Sequence, residues 1–372
     1  GLKPQMMHIF GWTDLDKGWR GHPNSDYDPK GIAGGAQELR RAVRRLQEDL
    51  RIPTSLYTLS DRCLKESVVG KKLGEIIVRR RADGSRVEDE ANWFVCPSSA
   101  EWHEHYAQGL KRAQAATGVK VLYVDVFGYP RGSACYATDH GHPVPSNTNE
   151  GCRLLLKRLR EVLPKDVALW SEYPVNDTAF QYLDGNIHYY CLYWHTYFSK
   201  HYDHAAAAPA TAPVALNICR YAFPDVKQFV FLCGVNNWAS DAKFPFFNGE
   251  ALYDTSWFLY ASPHLDRMRK SLAIQTEYAD CFAAAQAEPR VPTDRAHVHA
   301  NRFPGDGRTL WTVYNARYAT VRGPVLTIPH QAGATYHDVW NDRPLVPKTS
   351  NGRATLSLTL GPQGLGCIVQ TP

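Results

Sequence analysis

Two carboxylates stand where chemistry would be expected. Asp125 closes the apolar run KVLYVD and Glu172 closes ALWSE, and both lead into loops rich in aromatics and proline. An acid at the end of a buried strand is costly unless it is paired, hydrated or put to use. Tyr123, two residues before Asp125, lies on the same side of its strand. If the two runs are consecutive parallel strands, they are neighbours about 4.8 Å apart and their terminal side chains converge. Such a pair divides labour between an ionised nucleophile and a protonated acid. Glycosidic cleavage needs that division: a carboxyl separation of about 5–5.5 Å gives retention, and about 6.5–9.5 Å inversion. For Asp125 taken alone, capping of the following loop is the plainer role.

The aromatic supply suits a sugar. The chain has 10 Trp and 20 Tyr. Trp12, Trp19, Tyr57, Tyr129, Tyr173, Tyr190, Tyr193, Trp194 and Trp238 fall where loops leave strands. Sugar rings offer apolar C–H faces and hydroxyl edges, so aromatic platforms with polar neighbours fit them. For any one of these rings, core packing is the competing role. The loop GHPNSDYDP adds His22, Asp26 and Asp28 as hydroxyl partners, although Asx-turns also use such residues. Arg62, beside Asp61, is placed to orient a nucleophilic carboxylate or bind a substrate acid. Asp177 and Asp184 are reserve acids near strand-end loops, and His188 is a further substrate contact.

Other chemistries have weaker support. His140 with His142, His201 with His204, and His297 with His299 have ligand-like spacing, but no HExxH occurs. A barrel metallohydrolase wants HxH at its first strand, where His8 stands alone. No GxSxG elbow is present. The nine cysteines are scattered and never spaced as CxxC, so neither a disulfide framework nor a zinc knuckle is expected. The reading therefore expects no metal and no cofactor. A net charge of +5 is too dilute for a nucleic-acid footprint. The basic stretch from Lys71-Lys72 to Arg79-Arg80-Arg81 reads as a solvated excursion, alternated with acids by Asp83, Glu88, Asp89 and Glu90. No apolar run of about 18 residues exists to cross a membrane. The compartment stays open.

The positioning elements follow from periodicity. Strands are expected at residues 6–12, 52–59, 120–126, 167–171, 186–193 and 228–233. Helices are expected at 36–50, 100–116, 150–162 and through much of 256–285. Residues 61–95 form an irregular excursion with a turn at Asp83-Gly84. Continuous apolar strands indicate a parallel sheet covered on both faces. Long loops after strands, with short helix-to-strand links, favour a (β/α)8 TIM-type barrel over a doubly wound sheet, which should carry an early Gly-rich phosphate loop. Beyond Pro289 to Pro292 the segments become short and alternating, as in an antiparallel β-sandwich. The expected domains are a barrel over 1–289 and a sandwich over 290–372.

HIFGW, GHPNSDYDP, LYTLSD, CPSSAEWHEHY, VLYVDVFG and LWSEYP, in that order, resemble a bacterial family of inferred glycoside-hydrolase barrels. That family is related to the endo-alpha-N-acetylgalactosaminidases and, more distantly, to the alpha-galactosidase and alpha-amylase barrels. The resemblance covers roughly residues 5–285. It implies a nucleophilic Asp ending the fourth strand, matching Asp125, and a Glu acid/base after the fifth, matching Glu172. In the alpha-galactosidase type an Asp after the sixth strand is the acid instead. Counting back from Asp125 leaves the first barrel strand unaccounted for, so the resemblance implies a barrel lacking that strand, with a further domain upstream. The activity implied is retaining hydrolysis of an α-glycosidic bond in an oligosaccharide or glycoconjugate. A non-catalytic carbohydrate-binding barrel, a pseudoenzyme and a metal-dependent hydrolase are the alternatives.

Overall fold

The computed structural model describes residues 4–13, 25–29, 34–125, 134–172, 177–188, 214, 216–231, 243–253 and 265–372. The chain divides into two compact units, Gly1–Ile187 and His188–Pro372.

In the first unit, β1 (Met7–Ile9) is followed by α1 (Gly35–Arg44), which runs on into a π-turn at Arg45–Asp49. Then come β2 (Thr54–Leu59), β3 (Arg62–Leu64), α2 (Val68–Ile77), β4 (Asn92–Phe94), α3 (Ala100–Thr117) and β5 (Val121–Asp125). The unit closes with α4 (Thr148–Val162), β6 (Ala168–Glu172), α5 (Asp177–Phe180) and β7 (Gly185–His188). Strands β1, β2, β5, β6 and β7 pair in that order, all parallel, as a half-barrel sheet with crossover helices between them. Every residue of β2 and β5 is buried, as in a parallel sheet covered on both faces. Thr58 and Tyr106 of α3 are hydrogen-bonded at 2.6 Å, so alternate residues of β2 face the helices. Tyr57, Leu59, Tyr123, Asp125, Trp170 and Glu172 take the opposite face of their strands.

Local chemistry sets the helix ends. The Ser99 hydroxyl accepts the Trp102 N–H at 3.3 Å at the start of α3, and Gly118 ends it at φ 74°. Asn147 caps α4 by accepting from the N–H groups of Asn149 and Glu150 at 3.1 and 3.2 Å. Each such cap stabilises its helix by about 1 kcal/mol.

Three details depart from the sequence reading. Where one helix is expected over 36–50, a π-turn at Arg45–Asp49 brings the Leu50 N–H to the Arg45 carbonyl, and Leu50 is exposed while Leu39 and Val43 are buried. Helix α2 lies where an irregular excursion was expected. Its glycines hide it from a propensity reading, yet both are required for packing. A Cβ on Gly70 would sit 1.9 Å from the Leu64 carbonyl oxygen, and one on Gly74 2.2 Å from the Trp93 indole nitrogen. Finally, Arg79 is not part of a solvated basic face: it is buried, and its guanidinium donates to the Val95 carbonyl at 3.2 Å.

The second unit begins with α6 (Ile218–Ala222), β8 (Lys227–Phe231), α7 (Lys243–Asn248) and β9 (Ala251–Tyr253), with β8 and β9 parallel. Helices α8 (Leu265–Glu277) and α9 (Ala279–Phe282) follow. The remaining strands are β10 (Glu288–Val291), β11 (Val298–Gly305), β12 (Arg308–Asn315), β13 (Val321–Pro329), β14 (Thr335–Asp338), β15 (Arg343–Leu345), β16 (Lys348–Ser350), β17 (Arg353–Leu360) and β18 (Leu365–Thr371). They form two antiparallel sheets, ordered β10-β11-β12-β18-β14-β15 and β13-β17-β16. Ala354, Leu356, Leu358 and Leu360 alternate inward along β17 and pack with Trp311, Val313 and Ile368. Asn301 and Thr312 both donate to the Phe247 carbonyl, at 2.8 and 2.6 Å, which ties α7 to the larger sheet.

Candidate active site

Register brings the two acids together. In the β2–β5 pairing Leu59 lies opposite Asp125, and in the β5–β6 pairing Val124 lies opposite Ser171. One residue further along β5 and β6 sets Asp125 beside Glu172, on strands whose spacing is about 4.8 Å. Both side chains share one face, and both residues are buried.

Asp125 is gripped by two phenols. Tyr123 donates to Oδ1 at 2.9 Å and Tyr57 donates to Oδ2. Burial first, then the charge and hydrogen bond of Asp125, then Glu172 and Asp61, push the Tyr57 hydroxyl far above its ordinary pKa. Tyr57 is therefore a fixed O–H donor, and three carboxylates lie within electrostatic reach of it. The His8 ring stands edge-on to Tyr123 at 5.0 Å, with Nδ1 3.0 Å from the Ser55 hydroxyl. Burial lowers its pKa to about 3, so this imidazole is neutral. Phe10 stacks on Tyr57 at 4.2 Å and is 44% exposed.

Asp61 and Arg62 form a two-point ion pair, Nε to Oδ1 at 3.0 Å and Nη2 to Oδ2 at 3.3 Å. Burial raises the Asp61 pKa, the Arg62 charge opposes this, and the Asp125 charge adds to it. Arg62 thus bonds Asp61, while its guanidinium lies 5.1 Å over Phe94.

The other expected contacts scatter. Trp12 has no exposed surface, and its indole N–H donates to the Tyr57 carbonyl at 2.6 Å; such a ring packs and cannot stack on a ligand. Asp26 accepts from the Val68 and Val69 N–H groups, both at 2.9 Å, capping α2. Asp26 and Asp28 line a cavity of about 590 Å³ with Lys72, His105 and Arg112. Asp184 lies at the opposite end of the sheet, where it accepts from the Leu169 N–H at 2.8 Å and pairs with Arg160 at 2.5 Å. It starts the strand instead of ending one, so it leaves the candidate site. Asp177 accepts the Thr178 N–H at 2.8 Å at the first turn of α5. His188, the last residue of β7 and the first of the second unit, joins a buried polar network, its Nε2 2.8 Å from Glu250 Oε1, with Asn217 donating to the same carboxylate at 2.6 Å. Glu250 had no signal in the sequence beyond an acid before a short apolar run. Tyr129, Tyr173 and Trp238 lie outside the described residues, as do Trp19, His22, Tyr190, Tyr193, Trp194, His201 and His204.

Similarity to known proteins adds a fold and little more. Residues 31–203 match a family model described as a domain of unknown function, DUF6259. No curated protein matches the sequence. Among solved structures, a maltogenic alpha-amylase from Thermotoga neapolitana is 14% identical with a TM-score of 0.63, over 97% of this chain and 88% of that one. The Geobacillus thermoleovorans alpha-amylase, solved with acarbose, is 10% identical with a TM-score of 0.65, over 98% and 88%. A debranching enzyme from Nostoc punctiforme is 11% identical with a TM-score of 0.63, over 98% and 85%. The fold is similar to that of these alpha-amylases and this debranching enzyme.

Proposed function

We propose that this chain is a retaining glycoside hydrolase acting on α-glycosidic bonds of an oligosaccharide or glycoconjugate. The observation that carries the proposal is the adjacent register of Asp125 and Glu172, with Asp125 held by two tyrosine hydroxyls. Neighbouring strands at about 4.8 Å suit the roughly 5–5.5 Å carboxyl separation of a retaining pair. The alpha-amylase and debranching folds support the α-linkage. The finer kinship with endo-alpha-N-acetylgalactosaminidases, closure of the sheet as a (β/α)8 barrel, and a catalytic part over 1–289 with a sandwich over 290–372 belong to the same proposal.

In the first step an Asp125 oxygen attacks the anomeric carbon while Glu172 gives its proton to the departing glycosidic oxygen, leaving a glycosyl ester on Asp125. Each Asp125 oxygen accepts one tyrosine hydrogen bond and keeps a second lone pair, so the grip orients the nucleophile without using it up. In the second step the Glu172 carboxylate takes a proton from water as that water attacks the anomeric carbon, which frees Asp125. Phe10, exposed and stacked on Tyr57, is offered as a platform for the apolar face of a sugar.

The test is a panel of aryl α- and β-glycosides, with product stereochemistry followed by NMR and Asp125→Asn as control. The expected result is α-selective hydrolysis with retained anomeric configuration, abolished in the variant. Turnover unchanged in Asp125→Asn would end the assignment. Sugar binding without turnover would make the chain a carbohydrate-binding barrel.

A further inference from the structure

The first unit holds a second cluster that takes no part in the carboxylate site. We propose that Cys96, Cys135, His140 and His142 bind one Zn²⁺ as a closed, structural, tetrahedral Cys2His2 centre.

The four residues each offer one donor atom, and all four atoms lie within 4.8 Å of one another. Cys96 Sγ is 3.3 Å from His142 Nε2, and Cys135 Sγ is 3.5 Å from His140 Nδ1. Zinc bonds of about 2.3 Å to sulfur and about 2.0–2.1 Å to nitrogen, at tetrahedral angles, give sulfur-to-nitrogen edges of about 3.5 Å. Two of the four sulfur-to-nitrogen edges are already close to that length, and the remaining donor separations are within 4.8 Å. Two soft thiols with two imidazoles select zinc over the hard cations that oxygen ligands hold. Four protein donors leave no open position, which marks a structural centre instead of a hydrolytic one.

The surroundings aim the donors. His142 Nδ1 is 2.9 Å from the Pro143 carbonyl, which can only accept. The proton therefore sits on Nδ1, and Nε2 turns its lone pair to the cluster, as metal-bound histidines do. The Arg80 N–H donates to Cys135 Sγ at 3.4 Å. The Cys135 backbone is held twice by Ser146, its N–H donating to Oγ at 2.8 Å and its carbonyl accepting the Ser146 N–H at 2.9 Å. Cys96, Cys135 and His140 are buried, and His142 is half-buried. A metal here would join the chain after β4, just ahead of α3, to the segment between β5 and α4. That segment begins directly after Asp125, so the centre would brace the loop that leaves the candidate nucleophile. The spacing C-x38-C-x4-H-x-H matches no zinc knuckle, because two of its ligands are brought together by the fold.

The experiment uses the full chain, purified without a histidine tag and analysed for metal by inductively coupled plasma mass spectrometry. About 1 zinc per chain is expected, falling below about a tenth of that in Cys135→Ser and in His142→Gln. His142→Gln removes a half-buried ligand and keeps the test open if the cysteine variant fails to fold. Cobalt exchanged into the site should show thiolate-to-metal charge transfer and the intense visible bands of a tetrahedral ion. Four results would overturn the proposal: a metal-free chain that takes up neither zinc nor cobalt at micromolar concentration, wild-type zinc content in both variants, octahedral cobalt, or a Cys96–Cys135 disulfide by mass. None of these readouts depends on hydrolytic activity, so this inference and the proposed function stand or fall separately.

Discussion

The carboxylate site and the cysteine–histidine cluster lie in the same unit and solve the problem of buried polar atoms in opposite ways. Around Asp125 the partners are hydroxyl donors from β2 and β5, and one of them, Tyr57, carries the exposed ring of Phe10 stacked on it. Around Cys96 and Cys135 the partners are imidazole nitrogens that converge on one point, and every position is taken by protein. Donors that surround an acid from one side leave room for a substrate. Four soft donors facing one another leave room only for an ion. The first arrangement suits turnover and the second suits bracing.

The sharpest separation comes from Asp125→Asn, expected to lower kcat/KM on any good substrate at least about a thousandfold, near 4 kcal/mol of transition-state stabilisation, with thermal melting nearly unchanged. Chelation should do the reverse. If zinc stood at about a hundredfold its dissociation constant, its removal would cost about 2.7 kcal/mol and lower the calorimetric midpoint by several degrees. Chelation that abolished hydrolysis and left the midpoint alone would collapse the distinction, because the metal would then be catalytic. Tyr57→Phe should slow turnover about 10–100-fold through loss of one charge-assisted hydrogen bond, measured as kcat under saturating substrate.

His8 supplies the pH test. Its folded pKa of about 3 lies below the ordinary 6.5, so the unfolded chain takes up a proton that the folded chain refuses. Stability should be complete above pH 6.5 and decline as pH falls from 6.5 toward 3, by on the order of 5 kcal/mol from this residue. Urea unfolding of His8→Gln across that range should show a flatter profile. The smallest effect is expected for Phe10→Ala, which should raise KM about fivefold, near 1 kcal/mol of lost stacking, and leave zinc content alone.

Much of this architecture was legible in the residues. The helix expected over 100–116 is found at Ala100–Thr117 between Ser99 and Gly118, because capping is a local bargain between a side chain and the nearest free N–H or C=O groups. The C-terminal strands were readable for a similar reason: period-two alternation reports a half-buried surface directly. Helix α2 was hidden because Gly70 and Gly74 answer to Leu64 and Trp93, contacts that no propensity scale contains. Asp184 read as a strand-end acid because sequence spacing does not say which end of a strand a residue occupies.

The chain by itself determined which residues end buried strands and therefore that Asp125 and Glu172 deserved notice, since apolar runs and their terminators are properties of short segments. Only the tertiary structure decided what surrounds them and what else gathers nearby. Tyr57 reaches Asp125 across a strand pairing, and Cys96 meets His142 across a long stretch of chain. Such meetings are set by register and crossover geometry, and these depend on the packing of the whole sheet and its helices.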